Sequence, residues 1–176
     1  INGGGAVTYN GKDQKPGLDG LTATGVNGTP QNIQIQYLEA DGTTETNAFK
    51  DAGRYRLVVS ADNYESVQLD FVVLPKQLAP GMVSDPDGVT YNGQVHKPAV
   101  NVSDRPEGTD ILLQTDYTVH YGANTAVGQG TVAVTAQGNY TGTVTKTFAI
   151  GKLTLTGGNT QVGSLSDPEY NGTAWY

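Results

Sequence analysis

The sequence predicts an all-β chain built from tandem copies of one small domain. Three observations carry that expectation. Apolar and polar residues alternate with a period of two, Gly- and Asn-rich turns separate the runs, and the tripeptide Tyr-Asn-Gly recurs three times. Alternation of this kind marks strands with one face buried and one face wet. Recurrence about every 80 residues marks tandem domains, because a unit of that size holds one core.

The elements follow in order. A shared opening runs Val-Thr-Tyr-Asn-Gly from Val7 to Gly11 and again from Val89 to Gly93, and each ends in Lys-Pro, at Lys15-Pro16 and Lys97-Pro98. The first copy then places Ile33, Ile35 and Tyr37 on one strand face, Tyr55, Leu57 and Val59 on another, and Val67, Leu69, Phe71 and Val73 on a third. In the second copy Tyr117, Val119 and Tyr121 share a face, as do Val132, Val134 and Ala136, and then Val144, Phe148 and Ile150 with Lys146 interrupting. Asn-Tyr precedes the last strand of each copy, at Asn63-Tyr64 and Asn139-Tyr140. Turn chemistry lies between the runs at Asn27-Gly28, Asp41-Gly42, Asp51-Ala52-Gly53 and Gly138-Asn139, where Gly and Asn supply positive φ. No ten-residue stretch carries an apolar stripe at helical spacing with caps.

Several short strands in a domain of this size predict a small antiparallel β-sandwich of the immunoglobulin-like (Ig-like) kind. A β-grasp-like sheet is the rival, and it calls for a helix that the sequence does not offer. The domains are expected over residues 1–77 and 78–152, with 153–176 opening a third repeat or adding an edge or linking strand. Pro75 and Pro80 predict a short, stiff junction. Ile1 is not an initiator residue, so a piece of a longer protein is expected.

Composition excludes several functions. A net charge of −7 and a pI near 4.6 argue against nucleic acid and anionic membranes as partners, since both attract basic surfaces. With no cysteine, each core must hold by packing rather than by disulfides. No apolar run is long enough to span a membrane.

Three segments carry a resemblance: the Tyr-Asn-Gly openings, Asp116-Tyr117-Thr118-Val119-His120-Tyr121 with Asn124, and Gly138-Asn139-Tyr140-Thr141-Gly142 leading to Phe148-Ala149-Ile150. Together they resemble the Ig-like repeats of the MBG/YDG type found in bacterial cell-surface and adhesin-like proteins. The first copy's Asp51 to Val59 with Asn63-Tyr64 is similar to a variant of the pattern, although it lacks the Asp-Tyr-Thr-Val-x-Tyr segment. The resemblance implies extracellular display at the cell surface, tandem arrangement and no catalysis.

Candidate sites are few. Tyr9, Tyr91 and Tyr170, with Trp175 and Tyr176, are the aromatic residues that could stack on a ligand, and the competing role is a core-edge ring with its hydroxyl on backbone. Asp85 and Asp87, in Asp-Pro-Asp-Gly at the domain junction, are candidate Ca²⁺ ligands, while Asp-Pro is also an ordinary turn opener. Otherwise no cofactor is expected. His96 and His120 are the only histidines, and no nucleophile, metal or phosphate-loop motif accompanies them, so an enzyme is not expected. Lys15 and Lys97 could form internal isopeptide bonds only if buried and neutral. The function expected is a non-catalytic spacer or adhesive stalk in a surface protein or filament. Its partners would be neighbouring copies, further repeats of the same chain, or a host or matrix glycan or protein. A carbohydrate-binding module using exposed Tyr and Trp is the alternative.

Overall fold

Alternation translates directly into strands. The computed structural model describes residues 5–16, 22–105 and 108–156. The first copy holds β1 (Gly5–Thr8), β2 (Ala23–Thr24), β3 (Pro30–Gln31), β4 (Ile33–Glu39), β5 (Gly53–Ala61) and β6 (Val67–Leu74). β7 (Lys76–Gln77) lies in the junction, and the second copy follows with β8 (Val89–Thr90), β9 (Tyr117–Tyr121), β10 (Gly128–Ala136), β11 (Tyr140–Thr141) and β12 (Thr143–Gly151). Helix is limited to three single 3₁₀ turns among the described residues. The chain is all-β.

Each copy builds the same four-stranded sheet, in the order β1-β6-β5-β4 and then β8-β12-β10-β9. The central pairs are antiparallel. The opening strand, however, lies parallel to the last one, β1 on β6 and β8 on β12. Parallel neighbours require a long crossover, and here the whole middle of each copy supplies it. The registers correspond position by position: Val7 faces Val73 as Val89 faces Ile150, and Tyr55 faces Phe71 as Gly130 faces Phe148. The repeat is therefore structural as well as sequential.

One face of each sheet is buried. Tyr55, Leu57, Val59, Phe71 and Val73 form it in the first copy, and Val132, Val134, Val144, Phe148 and Ile150 in the second. The opposite face is wet, with Arg56 and Asp70 paired across β5 and β6 at 3.2 Å and Thr135 beside Thr143 across β10 and β12. The other sheets among the described strands have two strands each, β11-β7 and β2-β3. Extended chain covers the buried face instead, and the Gly-, Asp- and Thr-rich middles favour such turns over further strands.

That covering layer is filled differently in the two copies. In the first, the Gln14 N–H donates to the Phe49 carbonyl, and Phe49 lies flat on Tyr55 with ring centroids 4.3 Å apart. In the second, the His96 N–H donates to the Asn124 carbonyl, so Asn124 takes the place of Phe49. Its amide donates to the His96 and Thr131 carbonyls and accepts the Thr131 N–H, which satisfies a buried polar side chain with backbone. The neighbouring position compensates. Where the first copy has Tyr55, the second has Gly130, and a Cβ there would come within 2.5 Å of the Phe148 ring. The ring occupies the space that the missing side chain leaves.

Replacing Phe49 by alanine should cost about 3–5 kcal/mol, because its ring touches Tyr55, Phe71 and Tyr37. The urea midpoint followed by circular dichroism measures it.

Candidate functional site

The residues that recur between the copies converge on the junction. Tyr-Asn-Gly forms a tight turn in both: Asn10 accepts the Lys12 N–H, Asn92 accepts the Gln94 N–H, and Gly11 and Gly93 take φ of 77° and 78°. Gly11 has a second reason to be glycine. A Cβ there would lie 2.8 Å from the Ile111 side chain of the second copy. The turn thus brings first-copy backbone directly onto the second copy.

Tyr9 follows the same path. It is buried and meets Tyr140 edge to face, with centroids 5.5 Å apart and planes at 71°. Its hydroxyl donates to the Ile111 carbonyl at 3.4 Å. The Tyr140 hydroxyl donates to Asp104 at 2.9 Å, and the same carboxylate oxygen receives the Lys76 amine at 2.5 Å. Asp104 is buried, so these two donors replace the water it has lost. Burial and then the Asp104 carboxylate push the Tyr140 phenol far above its ordinary range. Burial, then Asp116, raises that of Tyr9.

Asn139 clasps the other side. Its carbonyl oxygen accepts the Ala52 N–H at 2.7 Å and its amide donates to Asp51 at 3.0 Å, so one side chain holds the Asp51–Gly53 turn of the first copy. The linker adds backbone: the Lys76 and Leu78 N–H groups donate to the Asn139 and Thr141 carbonyls, pairing β7 with β11. A single hydrophobic cluster runs through the joint. It unites Tyr9, Phe49, Tyr55, Leu57, Phe71 and Val73 with Leu78, Val83, Leu112, Val134, Tyr140 and Val144. Beside it lies a cleft of about 320 Å³ bordered by Lys50, Asp51, Asp110 and Asn139. The Asp110 carboxylate accepts the Asp104 and Leu112 N–H groups, so both acids of this cleft are already engaged.

The other candidate residues lie apart. Tyr91 is exposed, unlike its counterpart Tyr9. Tyr170, Trp175 and Tyr176 lie outside the described residues. Asp85 pairs with Lys146 at 2.7 Å, Asp87 is exposed, and no cluster of three or more potential metal ligands occurs among the described residues. His120 is exposed on β9, whereas His96 turns inward. Lys15 rests over the Tyr37 ring, 3.7 Å from its centroid. Asp104 and Lys76 carry no site signal in the sequence. A comparison with protein-family models finds no match, and one with curated proteins finds none either.

Tyr140→Phe should destabilise the chain by about 1.5–3 kcal/mol, the range for a lost hydrogen bond to a charged group, read from thermal unfolding. Asp110 provides a pH test. Two backbone N–H bonds, the one from Asp104 foremost, hold its carboxyl below the ordinary 3.8. Its stabilisation is complete above that value and is lost as pH falls through the lower, folded-state pKa. Asp110→Asn should therefore flatten the decline in melting temperature between neutral pH and the acid limit, mostly below pH 3.8.

Proposed function

We propose that the chain is a non-catalytic, extracellular tandem-repeat module, a spacer or adhesive stalk of a surface protein, with each copy acting as one β-sheet bead. The observation that carries this reading is the junction. Motif residues and the linker hold one copy against the next through rings, a partly buried ion pair and an amide clasp. A packed joint transmits orientation, and orientation is what a stalk needs from each repeat. The resemblance to bacterial surface repeats supports the same setting.

A carbohydrate-binding role draws support from the exposed rings of Tyr64 and Tyr91. Stacking on sugar needs an open ring face, and Tyr9 is buried in the joint.

Spin labels at Asp62→Cys and Gln129→Cys place one probe on each copy at exposed positions. Electron–electron distance measurement should give one narrow distribution, broadened by Tyr9→Ala. A broad distribution in the parent protein would remove the stalk reading.

A further inference from the structure

The described copies end in faces that repeat the two halves of the junction. Continuity of register identifies the outgoing half. β6 and β12 correspond residue by residue, so Leu153 and Leu155 follow β12 as Lys76 and Leu78 follow β6. Tyr91 corresponds to Tyr9, and Val127, just before β10, to Ala52, just before β5. Tyr9 is 4% exposed and Tyr91 38%, while Leu78 is 2% exposed and Leu155 75%. Equivalent residues are therefore covered at the internal junction and exposed at the outer end of the described second copy.

The incoming half shows the same contrast. Tyr140 is 2% exposed, whereas Tyr64, before the last strand of the first copy, is 44% exposed. Val67 corresponds to Val144 and Val59 to Val134. In the second copy both positions belong to the cluster that also holds Leu78. In the first copy they border an apolar recess of about 140 Å³, together with Ile33, Ala61 and Tyr64. Seven of the ten large exposed apolar side chains among the described residues lie on these two ends: Val26, Tyr64 and Val67 on one, Tyr91, Val127, Leu153 and Leu155 on the other. Apolar surface gathered this way marks an interaction site.

We propose that the two ends are the halves of one interface, so that a second copy docks head to tail. Leu155 and Tyr91 of one chain would enter the Ile33–Val59–Val67 recess of the next, as Leu78 and Tyr9 meet the second copy within the chain. The contact is heterologous: it joins unlike faces and leaves one of each free, so it propagates instead of closing. The inference rests on the stalk reading and names its partner. A single covalent linker supplies a local concentration of about 1 mM, so free ends need only millimolar affinity to reproduce the joint.

The test is sedimentation of the full chain at rising concentration up to about 1 mM. The parent protein should form dimers and then longer species. Leu155→Asp, which spoils the outgoing end, and Val67→Asp, which spoils the incoming end, should each weaken association at least tenfold. Mixed, the two variants should form a dimer and stop there, since only one good end of each kind remains. Circular dichroism confirms that these surface variants are folded. A parent protein that stays monomeric, variants that associate like the parent, or a mixture that does not dimerise would each overturn the proposal. None of these outcomes touches the internal joint, whose rigidity the spin-label distances report separately.

Discussion

Tyr140 is the residue on which the arrangement of the two copies depends. Its ring meets that of Tyr9 from the first copy edge to face, and its hydroxyl shares the Asp104 carboxylate with Lys76 from the linker. Burying a carboxylate costs far more than a surface contact returns, so the carboxylate must keep both donors in place. Those donors come from different parts of the chain. The requirement that Asp104 remain paired therefore fixes where the linker runs, and the Tyr9–Tyr140 contact sets how the first copy sits. An ion pair of this kind adds little net stability. Packing supplies the attraction, since the cluster around the pair is apolar and continuous from one sheet to the other.

Much of the fold was legible because burial on one face leaves a period-two trace. Every strand read from Ile33, Tyr55, Val67, Tyr117, Val132 and Val144 is present, and Gly28, Gly42 and Gly138 adopt the positive φ expected of their turns, whereas Gly53 already belongs to β5 and does not. The parallel placement of β1 and β8 was not legible. Alternation tells which face is buried and says nothing of the neighbouring strand's direction, and a crossover through an irregular middle leaves no periodic signal. The covering layer was hidden for the same reason.

The candidate site was half legible. Tyr9 and Tyr91 stand in identical tripeptides, yet one is buried between copies and the other is bare. Local sequence sets the turn; the neighbour sets the burial. The expectation that the motif tyrosine bonds backbone through its hydroxyl describes Tyr9, although the carbonyl belongs to Ile111 in the other copy. Asp104 is one acid among many in the sequence, and only the fold brings it beneath Lys76. Phe49 and Asn124 make a related point. They occupy equivalent places with opposite chemistry, and the exchange is tolerated because Tyr55 and Gly130 change alongside them.

The most direct test of the central claim is a double-mutant cycle on Tyr9→Ala and Tyr140→Ala, with unfolding free energies from urea titration. Residues in contact across a packed joint should couple by about 0.5–3 kcal/mol, the double variant losing less than the two single losses combined. Additive losses would mean that the two rings stabilise separate units and that the copies are merely strung together.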